Sequence, residues 1–152
     1  MTPLNLPACQ LRFKNSENKQ WIFDILRKKF VILTPEEWVR QHVIHYLKNQ
    51  YGYPLTLMAA EKKILINGLT KRFDLVVFST EGTIKIAIEC KAPEVKIEQG
   101  VFDQLARYNL QLNAPFLMVT NGLKHYFCSI NAEKQTYEFL KDVPHYSKSE
   151  FI

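Results

Sequence analysis

Three residues, Asp74, Glu89 and Lys91, have the types and spacing to do chemistry. Strand alternation across Thr83–Lys91 puts Ile84, Ile86, Ile88 and Cys90 on one face, and Lys85, Ala87, Glu89 and Lys91 on the other. The preceding strand, Lys71–Ser79, joins it through a tight loop centred on Glu81-Gly82. A loop of two or of four residues with that centre places Asp74 directly opposite Glu89. Opposed residues on one face have Cβ atoms about 4.5–5.5 Å apart. Two carboxylates there repel unless a cation or a proton intervenes. A hard divalent ion such as Mg²⁺ (or Mn²⁺) suits that pair. Lys91, one alternation further on, can orient a water or meet charge developing on a phosphate. Together these groups fit metal-assisted phosphodiester hydrolysis. The plain alternative is a cross-strand charge patch in which Lys91 neutralises one acid.

The elements that must position these residues are readable in outline. Thr34-Pro35-Glu36-Glu37 predicts a helix start: Thr34 as N-cap, Pro35 at N1 and Glu37 closing a capping box. The helix is expected to reach about Asn49, before Gly52 and Pro54. Three strands follow: Thr56–Ile66, ending at Asn67-Gly68, then Lys71–Ser79 and Thr83–Lys91. A helix over Ile97–Leu112 carries Ile97, Val101, Gln104, Leu105, Tyr108 and Leu112 on one stripe. A Gln on a core-facing stripe needs polar partners. Phe116–Thr120 and His125–Ile130 flank the hairpin signal Thr120-Asn121-Gly122-Leu123. This order predicts an α/β class, a mixed central sheet covered by helices. Residues 1–20 read as irregular with a turn at Asn15–Asn18, and Gln20–Leu33 fits strand or helix equally. The basic triplet Arg27-Lys28-Lys29 reads as a solvated edge.

Composition narrows the function classes. At 152 residues the chain suits one domain, read as an N-terminal extension over 1–30 packed on a core of 31–152. The net charge of +5 and pI near 9.1 point mildly to a polyanionic partner. No apolar run approaches the roughly 20 residues that span a bilayer, and the first residues lack a secretory pattern. Cys9, Cys90 and Cys128 suit neither a disulfide framework nor a zinc site, which fits a reducing cytoplasm.

The motifs Phe73-Asp74, Glu89-Cys90-Lys91 and Gln104-Leu105-Ala106-Arg107-Tyr108 resemble the restriction-endonuclease-like superfamily called PD-(D/E)XK. With Thr34–Gln41, Gly52-Tyr53-Pro54, Lys71–Val77, Glu89–Pro93 and Thr120-Asn121-Gly122, the chain is most similar to the N-terminal nuclease domain of type I restriction enzyme R subunits. The resemblance spans about residues 31–130. It implies a restriction-endonuclease-like α/β/α core, with Asp74 and Glu89 as Mg²⁺ ligands and Lys91 as base or charge stabiliser. It also implies Gln104 and Tyr108 as the Gln-x-x-x-Tyr element beside the site. Phe73 replaces the superfamily's Pro. No Gly-x-x-x-x-Gly-Lys-Ser/Thr loop is present, so any motor would be separately encoded.

The family also places a Glu on the first helix, reaching toward the site. A helical wheel groups Glu36 with Val39, Val43 and Leu47, facing the sheet, and leaves Glu37 to the capping box. Glu36 is therefore the expected supporting acid. Lys71, Arg72, Lys96 and Arg107, with Tyr108, are candidate DNA contacts, each cation being by default solvated. His42 and His45 read as surface or interface residues, and Cys90 as inert core. The expected function is a Mg²⁺-dependent nuclease acting on DNA. The alternative is a non-catalytic nucleic-acid-binding or protein-interaction module with the same fold.

Overall fold

A computed structural model of the chain describes residues 1–66, 68–131 and 133–147, apart from the side chains of residues 66, 106 and 109–111. Asn67, at the expected end of the first core strand, lies outside the described residues, as does the Ala106 side chain.

The N-terminal region forms an antiparallel sheet of β1 (Phe13–Ser16), β2 (Lys19–Asp24) and β3 (Lys29–Ile32). Its first turn is the pair Glu17-Asn18, both at positive φ (55° and 60°), which matches the twist of a two-residue hairpin. The predicted turn is present, but strands flank it where irregular chain was expected. Leu4, Leu6, Ile25 and Leu26 then pack this region onto the core.

Helix α1 (Pro35–Tyr51) starts as the sequence predicts, with the Glu37 N–H donated to Thr34 Oγ1 at 3.1 Å. It runs two residues past Asn49 and closes at Gly52, whose φ of 76° suits a left-handed C-cap. Then come β4 (Met58–Ile66), β5 (Leu69–Phe78), β6 (Ile84–Cys90), α2 (Gln99–Leu112), β7 (Phe116–Thr120), β8 (His125–Asn131) and β9 (Thr136–Leu140). They form a mixed sheet in the order β4-β5-β6-β7-β8-β9. Among the described strands only β6 and β7 pair in parallel, because α2 carries the chain across between them. The edge strand β9 was not foreseen.

The sheet is buried on both faces. Val39, Val43, Ile44 and Leu47 of α1 meet Leu75, Ile86, Ile88 and Met118 on one side. Phe102 and Leu105 of α2 meet Phe73, Val76, Ala87 and Val119 on the other. This is an α/β/α arrangement. The tip of the β7–β8 hairpin is fixed by a close approach: the Asn5 N–H donates to Gly122 O at 2.8 Å. A Cβ at Gly122 would meet Leu4 Cδ2 at 2.6 Å and force that side chain to shift, and the Gly122 φ of 85° would strain any other residue there.

Two irregularities in β5 and β6 shape the site. First, Val77 pairs with Ile86 but Phe78 pairs with Ile84, leaving Lys85 as an extra residue in a bulge. The connecting loop is therefore Ser79–Thr83, centred on Glu81. It is braced by Ser79 N–H to Thr83 O at 2.7 Å and by Gly82 N–H to Ser79 O at 3.0 Å. The expected loop of two or four residues is corrected to five, and the bulge absorbs the odd residue. It also turns Ile84 toward α2, away from Ile86, Ile88 and Cys90. Second, Phe73 and Leu75, two residues apart, pack on opposite sides of the sheet. Regular pleating would put them on one side, so alternation breaks at Asp74. Its neighbour across β4 is Glu61, at φ 54°, between the pairs Ala60↔Leu75 and Lys62↔Phe73.

Candidate active site

The register Leu75↔Ile88, taken one step further, sets Asp74 opposite Glu89 as the sequence predicts. Asp74 Oδ2 accepts the Cys90 N–H at 2.7 Å. The Lys91 N–H is held by Thr120 O at 2.8 Å, so β7 anchors the Glu-Cys-Lys segment from its other edge. Glu89 is 7% exposed. Its two oxygens face two ammonium groups, Lys71 Nζ at 3.5 Å from Oε1 and Lys91 Nζ at 3.8 Å from Oε2. Burial, and then the charge of Asp74, push the Glu89 carboxyl above its ordinary pKa, against the pull of both lysines. Burial also pushes Asp74 up, opposed by the Cys90 amide, Arg40, Lys91 and Lys71. Asp74, Glu89, Lys71 and Lys91 thus form one electrostatic cluster.

Helix α2 reaches this cluster through Tyr108. The Lys71 ammonium sits 5.5 Å from the ring centres of both Tyr108 and Phe73. Gln104 donates to Tyr108 Oη at 3.3 Å but is itself exposed. The expectation that Gln104 lies on the buried stripe is corrected. Ile97, Val101, Leu105, Tyr108 and Leu112 of the expected stripe pack on the core beside the buried Phe102, while Gln104 falls at the solvent rim. Among the described residues it has no hydrogen bond to Asp74, Glu89 or Lys91. Arg72, Lys96 and Arg107 are exposed cations, and Lys71 is committed to Glu89.

The first-helix acid is also corrected. Glu36 is exposed, while Glu37 is buried and turned inward. Val39, Val43 and Leu47 are buried as the wheel predicts, and the buried face extends through Glu37, Arg40, Ile44 and Tyr51, while Glu36 stays outside it. Glu37 keeps its backbone bond to Thr34, but its carboxylate does not fold back as a capping box would. It pairs with Arg40 through both oxygens, accepts Gln41 Nε2 at 3.0 Å, and lies 3.3 Å from an Arg27 nitrogen. Arg40 donates to Asp74 O at 3.3 Å and approaches Glu61 at 3.7 Å. Arg27, read from sequence as a solvated edge, also binds Asp24 and Glu61. Burial alone would lower the Arg40 pKa, but Glu37 and Glu61 outweigh it and keep the guanidinium charged. Sequence reasoning missed Arg27 and Glu61 as partners in this web. For Arg40 the three-residue step from Glu37 was an available signal.

This web borders a cleft of about 310 Å³ lined by Ile32, Thr34, Glu36, Glu37, Arg40, Glu61, Arg72, Asp74 and Cys90. Glu36 thus stands at the mouth of the cleft. The donors that fit a cation beside it are Asp74, half-buried on the cleft wall, and the buried Glu89 across the strand pair, whose carboxyl the Asp74 charge pushes up. Mg²⁺ takes one or two carboxylates and keeps several waters, so two suffice. Glu37 adds no free oxygen, being held by two arginines and Gln41. Among the described residues, no group of three or more His, Cys, Asp or Glu converges as a ligand set.

The remaining candidates lie apart from this chemistry. His42 is buried rather than at the surface, its Nδ1–H given to Trp38 O at 2.8 Å. His45 is partly buried, and burial lowers the pKa of both rings. Burial raises the Cys90 thiol well above its ordinary value, which suits an inert core residue. Among the described residues no helix is long and apolar enough to cross a membrane.

The mixed sheet between two helical layers defines an α/β protein, and a solved structure shares that fold. It is the fragment structure of an HsdR subunit of a type I restriction enzyme from Vibrio vulnificus YJ016, with a TM-score of 0.55 and 18% identity. The match covers 78% of this chain and 24% of that one, so the chain spans about a quarter of that protein's length. The family model for the type I restriction enzyme R protein N terminus (HSDR_N) matches residues 35–144, and the chain belongs to that family. No curated protein matches the chain.

Proposed function

We propose that the chain is a metal-dependent nuclease module that hydrolyses DNA phosphodiester bonds. The observation that carries this reading is the buried Glu89 carboxylate, facing Lys91 and repelled by Asp74 across the strand pair. Folding two acids together under burial is unfavourable unless the arrangement serves a cation. Asp74 and Glu89 would hold Mg²⁺ (or Mn²⁺). Such an ion, when bound, supplies Lewis-acid polarisation of a phosphoryl oxygen and makes water a better nucleophile at neutral pH. Lys91, partly exposed, presents a positive group to charge building on the phosphate. The Cys90 amide fixes the Asp74 carboxylate, and Arg40 fixes its backbone carbonyl. Arg72, Lys96 and Arg107 meet DNA phosphates at the rim, while Lys71, set against the Tyr108 ring, holds Glu89 from the α2 side. Glu36 and Gln104, both exposed, act on the substrate side of the rim. A motor or restriction subunit is the proposed protein partner, a reading supported by the match to the type I restriction enzyme R protein N terminus.

One observation favours the second reading, a non-catalytic DNA-binding module: Lys71 already supplies a cation to Glu89. The two readings part in one assay. Supercoiled, linear and single-stranded DNA are incubated with the protein, with and without Mg²⁺ or Mn²⁺, beside Lys91→Ala. Cleavage that needs the metal and disappears in Lys91→Ala supports the nuclease. Salt-dependent binding without cleavage overturns it in favour of the module.

A further inference from the structure

The family match begins at residue 35, so the N-terminal sheet lies outside it. That sheet has an unusual outer face. The pairings Lys14↔Trp21, Ser16↔Lys19, Phe23↔Phe30 and Trp21↔Ile32 place Lys14, Lys19, Trp21, Phe23 and Phe30 on one side. Arg12 joins them through its carbonyl bond to the Phe23 N–H at 2.8 Å. The opposite side is the packing side, where Ile22 is buried and the Phe13 ring lies 6.2 Å from that of Trp38.

Cations and rings interleave on the outer face. The Arg12 guanidinium stands 4.4 Å from the Phe23 ring centre and 5.5 Å from that of Phe30. The Lys14 ammonium stands 4.7 Å from Phe30 and 5.6 Å from Trp21. Trp21, Phe23 and Phe30 are only half-buried. The two acids of residues 12–32 lie off this face: Glu17 is in the hairpin turn, and Asp24 is buried against Arg27. At its β3 edge the face ends on Ile32, 43% exposed, which lines the cleft beside Asp74.

We propose that this face is a docking platform for single-stranded DNA, which it leads into the cleft. The inference rests on the nuclease reading for its choice of DNA. Its own support is charge and shape. Three cations without a facing acid suit a backbone of phosphates, and half-exposed rings on a small sheet suit stacked bases. A platform for duplex phosphates alone would have no use for the rings.

The test is binding of a fluorescein-labelled (dT)12 strand to the full chain carrying Lys91→Ala, in EDTA, so that cleavage plays no part. With three phosphates engaged, log K falls against log salt with a slope contribution of about −2 from this face. Arg12→Ala and Lys19→Gln should each weaken binding roughly fivefold at 0.1 M salt and flatten the slope by about 0.7. Lys19 is exposed, so its variant still reads if Arg12→Ala disturbs the sheet. In a Trp38→Phe background Trp21 is the sole tryptophan, and base stacking should quench its emission. Unchanged affinity and slope in both variants, unchanged Trp21 emission on binding, or duplex held as tightly as the single strand would each overturn the platform. If metal-dependent cleavage persists in that case, the nuclease reading stands alone. If the platform results appear without any cleavage by the unmodified chain, the platform stands and the nuclease reading falls.

Discussion

Asp74 Oδ2 accepts the backbone N–H of Cys90 at 2.7 Å. That bond ties the carboxylate on β5 to the residue following Glu89 on β6, so two like charges are held near each other by main-chain geometry. The local cost is visible in both acids, whose carboxyls burial pushes above their ordinary range. Stability is commonly sacrificed at such sites for function.

Asp74→Asn retains an oxygen for the Cys90 amide and removes one charge. The variant should melt a few degrees above the unmodified chain, since about 1 kcal/mol shifts a domain of this size by roughly 2–4 °C. Mg²⁺ or Mn²⁺ should raise the melting temperature of the unmodified chain and not that of the variant, because a ligand stabilises only the state that binds it. Thermal melts with and without metal check both. An equal metal shift in the two proteins would remove Asp74 from the ligand set.

Lys91→Ala separates chemistry from folding. The Lys91–Glu89 contact is long and the lysine side chain is more than one-third exposed, so its loss should change stability by less than about 1 kcal/mol. Metal-dependent cleavage should fall by at least about a hundredfold, the scale of losing one charge-stabilising group. Urea unfolding alongside a cleavage time course gives both numbers.

Glu36 and Glu37 should behave oppositely. Glu37→Ala strands Arg40, whose side chain is only 9% exposed, and removing one partner of a buried pair costs about 3–5 kcal/mol. Glu36→Ala should cost about 0.5 kcal/mol or less, as an exposed acid in a first helical turn. Urea midpoints rank the two. Equal costs would contradict the inward orientation of Glu37.

Asp24 supplies the pH dependence. Burial pushes its carboxyl up, but Arg27 and the Leu26 and Arg27 amides together outweigh burial and hold it below its ordinary value. A lowered folded pKa contributes stability that is present above the unfolded value of about 3.9 and is lost as pH falls through the folded one. Asp24→Asn should therefore be less stable than the unmodified chain at pH 7, and the gap should close as pH falls below about 4. Unfolding curves at neutral and acidic pH measure it, and a gap that widens in acid would contradict the sign.

Much of the site was legible because strand pairing is a parity problem. The turn between β5 and β6 sets Asp74 opposite Glu89 in register, and the bulge at Lys85 lets a five-residue loop keep that register. Thr34-Pro35 and Gly52 likewise mark the ends of α1 by local chemistry. Helix rotation was not legible in the same way. Glu36 and Glu37 lie about 100° apart on the wheel. Which of the two turns inward depends on the surface the helix meets.

The sequence by itself determined the α/β order of the core, the start of α1 and the strand pair that sets Asp74 opposite Glu89, because these follow from short-range periodicity and capping. Tertiary structure alone decided the rest: the inward Glu37, the Arg27–Glu37–Arg40 web, the outward Gln104, the broken alternation at Asp74 and the aromatic outer face of the N-terminal sheet. Several join residues far apart in the chain, such as Arg27 with Glu61 and Arg40 with the Asp74 carbonyl. Such contacts arise when buried charges must find partners in a finished fold, and no spacing along the chain records them.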